Sequence, residues 1–460
     1  MPELNREIKP SNKNEIKFRL PEIERFSLPN GLKVIFIRKN KLPIVQLNFL
    51  FNSGSKFDPA DKKGLANLLS MVIDEGAGQY NSLELSDEFD KLGSHFNIHT
   101  SEDSMFFSLQ SISENFNRSV ELVSTVIKEP HFNEKDFERE RRKIITRIMQ
   151  IKDEPDEIAD IVFGKAVFGN SNPYAFPVIG YQKDLEKLSI NDIKDFYSCH
   201  FTPNNGCVIA VGDISVNELK DRLSALFSDM KFKPVSEVNS FSGGEKKYRL
   251  HIADKKNSVQ SELRIGHSAS RRSEKDYYSK TLLNMILGGQ FSSRINLNLR
   301  EKNGFTYGAT SRFNYLKEDA YFSVSTSVNS ENTVPALKEI INELKAIKGG
   351  IKKEELEFAK SSLIRKFPSN FETGRQLAYN LAATVIHSLP EDYFNNYIEN
   401  IRSVDLKEIN RISEESIDSE QFIIVVVGDK NKLKPSLEEI AMGKIYETDL
   451  IGNIINPSVS

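Results

Sequence analysis

Asn67, Ser70 and Met71 sit three and four residues apart beside an apolar set, Leu65, Leu68, Leu69, Val72 and Ile73. The apolar residues recur at helical spacing and predict a helix with one buried stripe. Residues 67, 70 and 71 then share a neighbouring face. Two histidines at that separation can hold a zinc ion, with a carboxylate between them polarising its bound water. The residues in place are ill suited to that chemistry. Asn67 is a poor ligand, Met71 offers a neutral thioether that zinc rarely selects, and the Ser70 hydroxyl is not basic at neutral pH.

A second pair, Arg300 and Tyr307, flanks Gly304. Ser292 or Ser293 can cap a helix that Gly304 ends, which puts Arg300 in the last turn and Tyr307 at the start of the next strand. A guanidinium fork and a neutral phenol can together hold a peptide carbonyl and steady an oxyanion. Taken alone, they also read as a helix-end cation and an amphipathic edge residue. Other spacings point away from chemistry. His95 and His99 are four apart, but the segment from Gly93 to Thr100 alternates, so it predicts a strand with His95, Asn97 and His99 on one face. Cys199 and His200 fall at a helix end and Cys207 in a buried strand. Gly76-Ala77-Gly78 and Gly288-Gly289 lack phosphate-loop spacing. The basic run from Arg139 to Arg147 is interleaved with glutamates and reads as a solvated helix face. No Ser/His/Asp or Cys/His order supports an independent hydrolase.

The elements that position these residues repeat. Ile23 to Leu28, the turn Pro29-Asn30-Gly31, and Leu32 to Ile37 predict a hairpin. Val45 to Phe51 alternates as a half-buried strand should. Cys207 to Asp213 is an apolar strand ending in Gly-Asp, and Ile423 to Asp429 matches it 216 residues later. Helical stretches precede these strands (191–197, 406–412) and follow them (216–227, 432–442). Strands 104–109 and 319–324 also correspond, each leading into a helix (117–127, 333–347). Pro, Ser, Gly and Lys mark 233–247 as a linker. The chain thus divides into an extension (1–22), a first domain (23–232), a linker (233–247), a second domain (248–446) and a tail (447–460). The fold class is α+β, with two homologous domains from an internal duplication, each a mainly antiparallel sheet with helices packed on one face. Two such domains can face each other across a cavity, and domain interfaces are common places for sites.

At 460 residues, 39% hydrophobic and 28% charged, the composition fits a globular chain of several domains. A net charge of −3 gives no electrostatic case for nucleic acid. No apolar run reaches the roughly 18 residues that span a bilayer. The start of the chain has no apolar signal core, so the expected compartment is the cytoplasm, or the periplasm if a signal peptide has been removed. The two cysteines do not suggest a disulfide framework.

These features together resemble the pitrilysin-type (M16) metallopeptidases from about Ile23 to Asp429. The resemblance rests on ordered landmarks: Leu28 to Leu32, Gly54 to Asp58, Asn172-Pro173-Tyr174 with Gly180, and Thr202 to Asn205 leading into Val211-Gly212-Asp213. The most specific is Leu287 to Arg294, continued from Leu299 to Gly308. The length is similar to that of short bacterial subunits and mitochondrial processing-peptidase subunits. The family's zinc helix reads His-x-x-Glu-His, so the resemblance implies that Asn67, Ser70 and Met71 occupy the ligand and base positions. Its third ligand, a glutamate seven residues after another that Glu140 matches, falls at Arg147. A fixed cation there opposes a divalent metal. Arg300 and Tyr307 match a substrate-holding pair, and Asn97 and Ile98 match contact positions on an edge strand that pairs with peptide.

The resemblance therefore implies a chain with no metal or cofactor and no independent catalysis. It would be the non-catalytic subunit of a heterodimer whose zinc-motif-bearing M16 paralogue supplies the metal, water and base. The isolated chain would be able to homodimerise. The alternative is a non-enzymatic scaffold or assembly protein of the same fold.

Overall fold

The computed structural model describes residues 15–235, 249–272, 275–441 and 444–455. Most of the expected linker, 236–247, lies outside the described residues, as do the first part of the extension and the end of the tail.

Two six-stranded sheets organise the chain. The first contains β1 (Glu24–Ser27), β2 (Lys33–Arg38), β3 (Ile44–Phe51), β4 (His95–Thr100), β5 (Met105–Ile112) and β6 (Gly206–Gly212), in the order β1-β2-β6-β3-β5-β4. The second contains β7 (Arg249–Asp254), β8 (Gln260–Ser268), β9 (Ala309–Tyr315), β10 (Ala320–Asn329), β11 (Ile423–Gly428) and β12 (Ile445–Thr448), in the order β9-β10-β8-β11-β7-β12. Five strands correspond between the halves. β2 opens at Lys33 and β7 at Arg249; β3 opens at Ile44 and β8 at Gln260, the same displacement of 216 residues. Strand directions repeat as well: β2 runs parallel to β6 and β7 parallel to β11, while β3 and β8 are antiparallel to both neighbours. The sixth strands differ. β1 enters antiparallel to β2 from the start of the chain, and β12 lies parallel to β7 from its end. The β1–β2 turn uses Gly31 at φ +90°, a conformation open to a residue without Cβ.

Each half packs its own helices on one sheet face. In the first half these include α1 (Leu65–Val72), α2 (Phe116–Lys128), α3 (Glu134–Ile151) and α5 (Ile190–His200), with α4 (Pro155–Phe168) between the last two in sequence. α6 (Val216–Phe227) follows β6. The second half repeats the pattern with α7 (Tyr277–Leu287), α8 (Thr333–Ala346), α9 (Lys353–Lys366) and α11 (Leu406–Ser416), with α10 (Gly374–Ile386) between the last two in sequence. Val34, Phe36, Leu47 and Phe49 join Val120, Val123 and Phe227 in the first core. Leu263, Ile265, Val324 and Val426 join Leu282, Leu337 and Ile409 in the second.

The opposite face of each sheet is covered by a helix from the other half. Leu377 and Leu381 of α10 are buried in one apolar cluster with Ile35, Ile37, Ile209 and Val211 of the first sheet. Ile158 and Val162 of α4 are buried with Ile423, Val425 and Val427 of the second. This exchange corrects one expectation. Val45 to Phe51 is not half-buried: every residue is buried, because the second face of the strand is roofed by α10.

Two boundaries also shift. The expected helix over 432–442 is Lys430–Leu437, and β12 runs to Thr448, past the expected start of the tail, where Lys430 and Lys434 hold the Glu447 carboxylate at 3.0 and 2.8 Å. The described part of the extension belongs to the second half's core. Phe18 packs against Phe367 and Phe371, and the Leu20 amide donates to Asn395.

Candidate functional site

The helix predicted around Asn67 forms as α1, with Leu65, Leu68, Leu69 and Val72 buried and Ile73 at its end. Its start is fixed by Asp58, whose carboxylate accepts from the Gly64 and Ala66 amides at 2.8 Å each. Burial pushes the Asp58 acid up to about 7, against the pull of those amides and of Lys63. Gly64 has φ +97°, and Gly180, at φ +79°, lies so close to it that a side chain there would strike the Lys63 carbonyl.

The landmarks around α1 turn out to join the two halves. Lys56 and Asp103 form a buried pair at 2.8 Å. Asp103 also accepts from the Tyr174 hydroxyl at 2.6 Å and from the Lys317 amide at 2.9 Å. Asn172 donates to Asp319 at 2.8 Å. Sequence reading marks Gly54 to Asp58 and Asn172 to Tyr174 as landmarks but misses that Asp103 connects them.

On the neighbouring face of α1, the Ser70 hydroxyl donates to the Asn67 carbonyl at 2.7 Å, while Asn67 and Met71 are half-buried. α3 packs along α1 and carries Arg147. The Arg147 guanidinium is engaged by α4: it donates to both Glu154 carboxylate oxygens, at 2.6 and 3.0 Å, and pairs with Glu157. An amide, a thioether and a carboxylate-bound guanidinium do not fit a zinc ion. Among the described residues no three His, Cys, Asp or Glu side chains gather as a metal-binding group.

The basic run on α3 is not simply a solvated face. Glu140 is buried and accepts from Arg139 at 2.9 Å and Lys143 at 2.8 Å. Arg139 also pairs with Glu75, just beyond α1, at 2.5 Å. Burial, with Glu75 and Glu140 nearby, pushes the Asp74 acid up to about 6. Local charge alternation does not reveal these cross-helix partners.

Arg300 lies on a π-helical turn, Leu297–Lys302, with its guanidinium 4.0 Å from the centre of the Phe291 ring. Ser293 stands at the start of the preceding short helix, but its hydroxyl accepts from the Asn296 side chain at 3.2 Å instead of capping the backbone. Gly304 ends the turn at φ +65°. Tyr307 precedes β9 by two residues and is 97% exposed. Its backbone is anchored on both sides: Thr306 donates to the Gly308 carbonyl at 2.9 Å, and Asn296 exchanges two hydrogen bonds with Ala309.

The strand predicted around His95 is β4, a sheet edge paired, among the described residues, only with β5. His95, Asn97 and His99 are exposed on one face. Ile98 packs toward the first core, so Asn97 and Ile98 present opposite sides of the strand. Cys199 and Cys207 are free thiols, and the His200 ring stacks on Phe196 at 4.2 Å. Among the described residues, no helix is long and apolar enough to cross a membrane.

Two family models match the chain in succession. "Insulinase (Peptidase family M16)" covers residues 33–172 and "Peptidase M16 inactive domain" covers 187–363. An uncharacterized zinc protease from Rickettsia bellii is 25% identical over 410 residues, 88% of this chain and 97% of its own length. The non-peptidase homolog YmxG from Helicobacter pylori is 23% identical over 420 residues, 90% of this chain and 94% of its own. The crystal structure of a peptidase M16 inactive domain from Pseudomonas fluorescens matches with a TM-score of 0.82 at 22% identity, covering 89% of this chain and 98% of that one.

Proposed function

This chain belongs to the M16 peptidase family, and from that premise we propose that it is a non-catalytic subunit that binds peptide and completes the active site of a zinc-bearing partner of the same family. The observation that carries the reading is a contrast within one molecule. The positions that would hold metal and base are Asn67, Ser70, Met71 and Arg147, with Arg147 tied to Glu154 and Glu157, whereas the positions matching the family's substrate pair are Arg300, on the π-helical turn, and Tyr307, exposed on the anchored loop that follows.

In this reading the metal, its water and the base belong to the partner. This chain contributes donors. Arg300, steadied over Phe291, offers a guanidinium to a substrate carbonyl, and the neutral Tyr307 hydroxyl donates to the oxygen on which negative charge develops. Extended peptide adds to the free edge of β4 at Asn97 and Ile98, held mainly through its backbone because those side chains diverge.

The test is hydrolysis of a peptide by the chain co-purified with a relative carrying an intact His-x-x-Glu-His helix. Arg300→Ala and Tyr307→Phe should each lower kcat/KM by roughly 10²–10³, the usual effect of removing an oxyanion donor. Zinc should be found in the partner chain only. Unchanged activity in both variants would overturn the reading. A scaffold or assembly role is the second reading, favoured by the replaced ligand set and by the non-peptidase name of the Helicobacter relative. Association with a partner that leaves its hydrolysis unchanged would support it.

A further inference from the structure

A groove of about 590 Å³ lies on the α10-covered face of the first sheet, beside its β4 edge. Asn97 and His99 of β4 and Phe106 of β5 line one side; Asn370, Arg375 and Tyr379, on and just before α10, line the other. Beneath them is a buried polar set that a roofed sheet face does not need for folding. Gln46, 2% exposed, donates to Asn48 at 2.7 Å and to Ser108 at 2.9 Å, and Ser108 donates to Asn48 at 2.9 Å. The Gln46 carbonyl oxygen has no partner among the described residues. Leaving such a group buried costs stability that an apolar residue would not.

The groove is also electrostatically one-sided. Arg375 is the single fixed charge among its lining residues, and no carboxylate lines it. Arg375 is exposed, with no ion pair or hydrogen bond among the described residues. His99 stacks flat on Phe106, ring centres 4.6 Å apart; the desolvation this packing brings, and then the Arg375 charge, hold its imidazole below the ordinary range. The counterpart groove of the second sheet, beneath α4, has the opposite character, with Glu102 and Asp160 among its lining residues.

We propose that the groove takes a carboxylate carried by an extended peptide added to the β4 edge, with Arg375 as its counter-charge and Asn97 and Tyr379 as neutral partners. This rests on the peptide-binding reading above and names the chemistry it selects. An added strand directs alternate side chains to the α10-covered face of the sheet, where the groove lies. An unpaired guanidinium recognises a carboxylate by a charge-assisted, bidentate contact.

The experiment measures fluorescence anisotropy of the full chain with labelled peptides of alternating Thr and Val. One carries a single internal Glu and an amidated end, one carries Gln at the same place with an amidated end, and one carries that Gln with a free terminal carboxylate. The Glu or the free-ended peptide should bind about tenfold more tightly than the Gln peptide, and which of them does so identifies the carboxylate as side chain or terminus. Arg375→Gln should erase the difference between the Glu or free-ended peptide and the Gln peptide, and Arg375→Lys should restore part of it. Equal binding of all three peptides, or a preference that survives Arg375→Gln, would overturn this inference while leaving peptide binding itself standing. No binding by the chain alone or with a zinc-motif relative would overturn both.

Discussion

Leu377→Ala tests whether the two halves stabilise each other through their exchanged helices. Leu377 is 1% exposed on α10, a second-half helix, and shares an apolar cluster with strand residues of the first sheet, Ile209 and Val211 among them. Gly374, one turn earlier, lies close to Val211 and Gln46, which fixes where the helix meets that sheet. Truncating a fully buried leucine costs about 2–5 kcal/mol through lost transfer energy and residual cavity. At about 3 kcal/mol, opening becomes roughly a hundredfold more frequent. The assay is hydrogen exchange on peptides covering β6 and β11. If α10 is part of the first half's structural unit, protection of Gly206–Gly212 should fall by about that factor although the substitution lies in the second half. Ile158→Ala on α4 should do the reverse, loosening Ile423–Gly428 from the first half. Loss of protection confined to the half that carries each substitution would refute the reciprocal packing.

Two further outcomes follow from buried polar groups. His251 is 3% exposed, its ring nitrogens have no partner among the described residues, and burial with Arg249 nearby lowers its pKa from 6.5 to about 3. A depressed folded-state pKa means that the unfolded chain binds the extra proton. The stabilisation is therefore present above pH 6.5 and is lost as pH falls toward 3. Thermal melts should show Tm declining through that window, and His251→Phe, which keeps a ring to stack on Tyr446, should flatten the decline. An unaltered pH profile would count against it. Lys56→Met leaves Asp103 without its cation at the joint between halves, and denaturant unfolding should show a loss of about 3–5 kcal/mol, the usual cost of breaking a buried pair. Asp103→Asn, which keeps an acceptor for Tyr174, should cost less.

What the sequence made legible was local or repeated. Asn30-Gly31 specifies its hairpin by turn chemistry alone. The displacement of 216 residues is visible because the paired strands Cys207 to Asp213 and Ile423 to Asp429 are short, apolar and punctuated by Gly-Asp. The stripe of α1 follows from spacing. The exchanged helices were not legible, because Leu377 and Leu381 announce an apolar face without naming the sheet it covers. Gln46 and Asn48 misled for the same reason. Alternation assigns them to solvent, and only a helix more than three hundred residues away buries them. The placement of Arg300 and Tyr307 was nearly right, but nothing in residue type foretold a π-helical turn or a tyrosine 97% exposed. The cross-helix contact of Arg139 with Glu75 depends on the α1–α3 packing, which charge patterning does not encode.

The two candidate regions differ in how far the fold constrains their side chains. α1 is held by its buried stripe and by Asp58 at its start, and on its neighbouring face Ser70 is buried and Met71 packs against the first core. Folding imposes no strong demand on Tyr307, since a side chain 97% exposed buries almost nothing. The loop that carries it nevertheless spends several hydrogen bonds on a defined shape, and the π-helical turn beneath Arg300 is a rare geometry found disproportionately at functional sites. Stability alone would favour an ordinary α-helical end and a polar residue in place of Tyr307. A defined backbone around a solvent-exposed phenol and a guanidinium held over a ring is what the proposed role of Arg300 and Tyr307 requires, and the Arg300→Ala and Tyr307→Phe variants test it.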